Sequence, residues 1–111
     1  MRDEIRAHLH DVIQAGRAIK EFVAGRSFGE YANNDLLRSA VERKFMIMGE
    51  ALNRIRRHEP EILTRVANHR DIVSFRNILI HGYDSIDDRI VWDIIEEDLD
   101  NLIDDVDKLT Q

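Results

Sequence analysis

Residues 34–57 read NDLLRSAVERKFMIMGEALNRIRR, and the fold turns on how this stretch is patterned. Leu37, Val41, Phe45, Met48, Leu52 and Ile55 recur at three- and four-residue steps, which puts them on one side of a helix. Asn34 suits an N-cap, because its side-chain oxygen can accept from a backbone N–H of the first turn. No proline interrupts the run. The stretch predicts a helix from Asn34 to about Arg57 whose apolar stripe must be covered by other elements.

Covering elements are predicted on both sides. Asp3 to Ala24 repeats the pattern with Ile5, Leu9, Val12, Gly16, Ile19 and Val23, widened by Ile13 and Phe22, and Gly25 stops it. Arg26 to Asn34 mixes Gly, Ser and Asn and reads as a connection, with Phe28 and Tyr31 turned into the core. Pro60 suits a first helical position, so a short helix is expected over Glu61 to Val66. Another helix is expected from near Asp71 to Gly82. Ser85-Ile-Asp-Asp88 fits an acidic variant of the capping box and opens a last helix to about Leu109, striped by Val91, Ile95, Leu102 and Val106 beside Trp92 and Leu99. No strand signal competes. The expected fold is all-α: an antiparallel helical bundle of three long and one or two shorter helices, in a single domain over residues 1–111. Such a bundle has a thin core, and burying its surplus apolar surface leads us to expect a homodimer.

Composition narrows the function. Among 111 residues, 22 acidic side chains outnumber 16 basic ones, and the net charge of −6 argues against non-specific coating of nucleic acid. The absence of cysteine excludes disulfides and thiolate metal sites. No apolar run approaches the ~20 residues that span a bilayer, and the N-terminus lacks a signal-peptide core. The expectation is a cytoplasmic protein with no membrane partner. The charge is uneven. From Asp84 to Asp107 Arg89 is the only basic residue, whereas Arg54 to Arg76 holds arginines 54, 56, 57, 65, 70 and 76 against Glu59, Glu61 and Asp71. Arg54, Arg56 and Arg57 read first as a solvated helix end and second as a guide for RNA. His8 and His10 beside Asp11 resemble a metal clip only superficially, because helical side chains two apart face different ways; no metal site is expected.

The segment Phe75-Arg-Asn-Ile-Leu-Ile-His-Gly-Tyr-Asp84 gathers chemistry. Arg76 and His81 are five positions apart, about 140° around an ideal helix. Gly82 should end the helix, and a left-handed turn there would let Tyr83 fold back beside His81. An arginine fork matches phosphate oxygens, and histidine moves protons near neutral pH. RNA supplies its own nucleophile in the 2′-hydroxyl, so this set suits phosphodiester cleavage. The competing reading is structural: Arg76 pairs with Glu50 or with an acid of the last helix, His81 caps the helix and Tyr83 plugs the core.

The string Arg76-x4-His81-x-Tyr83 resembles the Arg-x4-His-x-Tyr signature of the HepT family, minimal HEPN-domain toxins of prokaryotic toxin–antitoxin pairs. The resemblance extends to Asn77 and Gly82 within the motif, to Met48-Gly-Glu-Ala51, and to Ile90-Val-Trp92 with Asp98-Leu99. It covers nearly the whole chain. It implies an all-α homodimer in which the motifs of both subunits face one cleft. It implies a metal-independent endoribonuclease that leaves a cyclic phosphate by 2′-hydroxyl attack, with no cofactor. It also implies a partner, a minimal nucleotidyltransferase antitoxin of the MntA type, which transfers AMP to Tyr83 and silences the toxin. On that basis Arg76 and His81 are the expected catalytic residues. Asn77 and Tyr83 are catalytic or positioning, and Tyr83 is the AMP acceptor. Glu50, on the second long helix, is a weaker candidate that could bridge Arg76 as a supporting residue, in a structural or a catalytic role. The alternatives are a non-catalytic HEPN module that binds nucleotide or partner, and a plain helical scaffold.

Overall fold

In a computed structural model, which describes residues 2–82, 84 and 86–111, the elements formed among the described residues are six α-helices and a 3-10 helix. The α-helices are α1 (Asp3–Val23), α2 (Phe28–Ala32), α3 (Asp35–His58), α4 (His69–His81), α5 (Asp88–Glu97) and α6 (Leu99–Leu109); the 3-10 helix is Pro60–Arg65. No strand occurs among the described residues. The expected all-α bundle is the fold observed.

Helix α3 is the spine. Its apolar stripe, Leu37, Val41, Phe45, Met48, Leu52 and Ile55, is buried throughout. Asn34 caps it by accepting from the Leu37 N–H at 3.0 Å. Helices α1 and α4 pack against α3, α6 packs against α1, and α5 contacts α2 and α6. Phe45 of α3 and Phe75 of α4 meet edge to face, with ring centroids 5.1 Å apart. The shortest dimension of the molecule is 19 Å, about two helix diameters, so the core is two layers thick as the sequence suggests.

Three local features differ from the sequence reading. The connection after α1 contains a helical turn: Ser27 accepts from the Glu30 N–H at 3.2 Å while the Glu30 carboxylate accepts from the Ser27 N–H at 3.1 Å, a complete capping box. This turn seats Tyr31 and Phe28 against Trp92 of α5, with centroids at 5.5 and 6.3 Å. Gly25, at φ 73°, makes the turn into it in a conformation that side-chain-bearing residues avoid. Second, the helix expected to run unbroken to Leu109 divides at Asp98. Its first half must bury Trp92 near α2 and its second half must bury Leu102 and Val106 near α1, and one straight helix cannot face both. Third, Asp87 rather than Ser85 is the N-cap of α5, accepting from the Arg89 N–H at 2.9 Å. Ser85 lies outside the described residues.

A charged cluster joins α2, α3 and α5. Arg38 donates to the Ala32 carbonyl, pairs with Asp35 at 3.1 Å and lies 4.0 Å from Asp88. Tyr31 is fully buried and no described group pairs with its hydroxyl. Burial, then the charges of Glu42 and Asp88, push its phenol far above the ordinary range, with Arg38 opposing. Burial also raises the Glu42 carboxyl, assisted by Asp88 and Asp35 and opposed by Arg38.

Candidate active site

The centre of the site is set by one contact between α3 and α4. Gly49 lies on α3 where Arg76 of α4 crosses it, and a Cβ built at Gly49 would sit 2.2 Å from the Arg76 Cβ and 3.2 Å from the Ile72 carbonyl oxygen. Only a residue without a side chain lets the stem of Arg76 lie directly on the α3 backbone. The next residue, Glu50, then meets the guanidinium. Its Oε2 pairs with Arg76 Nη2, and its Oε1 accepts from Arg54 Nε at 3.1 Å. Arg76 Nη1 donates to the Asn77 side-chain oxygen at 3.0 Å. The guanidinium is thus held on both sides, with its Nε buried and unpaired among the described residues. A guanidinium carries five N–H donors in a fixed plane, so donors remain for an incoming oxyanion.

Arg76 opens onto a groove of about 370 Å³. Met46, Ile47 and Ile80 form apolar wall, while Arg43, Glu50 and His8 of α1 supply polar edges. Apolar wall beside oriented guanidinium groups suits a ribose or base next to a phosphate. His81 occupies the last position of α4 and is exposed. It is four residues after Asn77, hence about 40° away on the same side of the helix, and does not line the groove. The structure therefore brings together Arg76, Asn77 and Glu50, and places His81 at the helix end, about 140° around α4 from Arg76. The expected left-handed turn at Gly82 is absent: its φ is −148°, a region open to any residue, and its N–H closes the last turn on the Ile78 carbonyl at 2.8 Å. Tyr83, expected as positioning residue and AMP acceptor, lies outside the described residues.

Three polar groove residues, Arg43, His8 and Asp11, were not assigned this place by the sequence. Arg43 is seven residues before Glu50, so α3 carries a second stripe (Arg43, Ile47, Glu50, Arg54) beside its buried one, legible as a period but not as a groove. His8 reaches the groove because α1 packs on α3, whereas His10 is exposed elsewhere. The two do not converge, and among the described residues no three His, Asp or Glu side chains form a metal-binding set. Nor is any helix among them long and apolar enough to cross a membrane.

A family model described as "Ribonuclease HepT-like" matches residues 12–109. The chain belongs to the HepT family of HEPN proteins. Within this HepT-like ribonuclease family it is similar to a protein of Methanocaldococcus jannaschii named "Putative RNase MJ1380". The two are 34% identical over 96 residues, covering 86% of this chain and 87% of the relative. It is also similar to "Probable ribonuclease HepT" of Thermococcus cleftensis, 30% identical over 106 residues that cover 92% of each chain. No solved structure matches the chain. The family's Arg-x4-His-x-Tyr motif is present here as Arg76, His81 and Tyr83, on α4 and the residues that follow it.

Proposed function

We propose that this HepT-like protein is a metal-independent endoribonuclease, the toxin of a prokaryotic toxin–antitoxin pair. The reading is carried by the anchoring of Arg76: its guanidinium is held by Gly49, Glu50 and Asn77 at the edge of a groove wide enough for a nucleotide. A preorganised cation in such a position stabilises charge that grows in a transition state. The scissile phosphate binds Arg76. The 2′-oxygen attacks phosphorus, the bond from phosphorus to the 5′-oxygen breaks, and a 2′,3′-cyclic phosphate and a 5′-hydroxyl result. His81 takes the proton of the 2′-hydroxyl or delivers one to the leaving oxygen. Asn77 orients Arg76.

Within one chain His81 faces about 140° away from Arg76 around α4. A homodimer in which the motifs of both subunits face one cleft would let His81 of one subunit act with Arg76 of the other. Exposed Ile78, on the side of α4 away from Arg76, supplies apolar surface for that contact. Regulation follows the family pattern: a nucleotidyltransferase antitoxin of the MntA type transfers AMP to Tyr83, and the added charge and bulk exclude RNA. The test is incubation of purified protein with RNA in a chelator, scored for cyclic-phosphate ends. Such ends are expected from the native chain and not from Arg76→Ala or His81→Ala. A second reading, a non-catalytic module that binds nucleotide or partner, draws on the Arg76–Glu50 pair and on the place of His81 outside the groove. It predicts no cyclic-phosphate ends from any variant, with nucleotide or partner binding retained.

A further inference from the structure

A second groove, of about 510 Å³, opens where the end of α3, the 3-10 helix and the start of α4 meet. Arg56, Thr64, His69 and Arg70 line it over a floor that includes Leu63, and Glu61 is its one acidic lining residue. Its polar groups are oriented. Arg56 Nη2 donates at 2.6 Å to the side-chain oxygen of Asn53, a polar residue buried in the core. His69 Nδ1 lies 2.9 Å from the Val66 carbonyl oxygen, which can only accept, so Nδ1 carries the hydrogen. Among the described residues Arg56, Arg57, Arg65 and Arg70 have no carboxylate partner, as is also true of Arg6, Arg26 and Arg43, while Arg2, Arg17, Arg38, Arg54, Arg76 and Arg89 are paired with at least one. In a chain of net charge −6, Arg56, Arg57, Arg65 and Arg70 fall within the end of α3, the 3-10 helix and the start of α4.

The register links this groove to the first. His69 is seven residues before Arg76, so it lies about 10 Å along α4 and within about 20° of the same side. On antiparallel α3, Arg56 is seven residues after Gly49, the contact point of Arg76. The two grooves therefore stand at two points along one helix seam, both presenting guanidinium groups. A single RNA strand carries a phosphate at every nucleotide and can engage both; a lone small anion cannot.

We propose that the Arg56–His69–Arg70 groove is a second phosphate-binding site, which grips single-stranded RNA some nucleotides away from the scissile bond. The assignment rests on the ribonuclease reading for its purpose but not for its test. The probe is labelled single-stranded RNA, long enough to cross both grooves, titrated at several salt concentrations against the native chain, Arg70→Gln, and Arg56→Gln/Arg70→Gln. Glutamine at 56 can still donate to Asn53, so the fold is kept, and thermal melting checks this. Each phosphate contact on a single strand contributes about 0.7 to the slope of log affinity against log salt, so the double variant should lower that slope by about 1.4. Its affinity at low salt should fall about tenfold or more. In cleavage, KM for the long RNA should rise with kcat unchanged, and a dinucleotide that reaches only the Arg76 groove should be cut as before. An unchanged slope, or equal losses on long and short substrates, overturns the proposal. If the native chain cuts neither RNA, the ribonuclease reading fails, and the salt slope of binding still decides the groove.

Discussion

Gly49→Ala tests the contact on which the site is built. Within an exposed helix, replacing Gly by Ala stabilises by about 1 kcal/mol through backbone entropy. Here the new methyl would lie 2.2 Å from the Arg76 Cβ, 2.8 Å from its Cγ and 3.2 Å from the Ile72 carbonyl oxygen. Two of these atoms belong to the α4 backbone or its first side-chain atom, so no rotamer change relieves the clash and α4 must move away from α3. Overpacking of this kind costs about 1–3 kcal/mol, and the displaced seam also carries the buried Phe45–Phe75 contact. A clash with atoms fixed to the α4 backbone belongs in the upper part of that range, about 2–3 kcal/mol, so after the propensity gain of about 1 kcal/mol a net loss of about 1–2 kcal/mol remains. For a domain of this size that lowers Tm by about 4–10 °C. The assay is thermal unfolding by circular dichroism, with Gly29→Ala as control, because a Cβ there meets nothing nearer than the Ser27 hydroxyl at 3.8 Å. The control should hold or raise Tm. Because the shift also carries Arg76 away from Glu50, RNA binding should weaken in the same variant. A Gly49→Ala protein that melts at or above the native temperature with unaltered RNA binding would refute the claim that this glycine positions Arg76.

Tyr31→Phe removes a buried hydroxyl that no described group pairs with, so stability should hold or rise by about 1 kcal/mol in denaturant titration. Glu42→Gln should raise Tm at neutral pH. The folded state raises this carboxyl above its unfolded value, so Glu42 loses stability as pH rises through the folded pKa; the advantage of glutamine should vanish below the ordinary glutamate value near ~4.3. Phe75→Ala empties a buried ring site against Phe45 and should cost about 3–5 kcal/mol, read as a loss of denaturation midpoint. His81→Ala, at an exposed helix end, should melt like the native chain while RNA cleavage falls by about 10²–10⁴. Cleavage at the native rate would remove His81 from the mechanism.

Periodicity and caps carry most of the fold. The stripes of α1 and α3, the Asn34 cap and the helix end at Gly82 are local properties of the chain, so their residues name them without reference to neighbours. The division at Asp98 is not local. It follows from Trp92 finding α2 while Leu102 finds α1, and no window of sequence contains both partners. The turn at Phe28–Ala32 was legible in principle, since Ser27 and Glu30 stand at capping-box spacing, but five residues are too short for a helical period to show.

The same division holds at the site. Sequence by itself determined which residues could act, because Arg76, Asn77 and His81 are neighbours on one helix and their chemistry travels with their identity. Their surroundings were decided only by tertiary packing. Gly49 admits α4 close enough for Glu50 to hold two guanidinium groups, and α1 brings His8 to a groove that begins on α3. The physical reason is one of range. Backbone propensity and side-chain periodicity act over a few residues, whereas the position of a charged group in a groove depends on contacts between segments that are far apart along the chain.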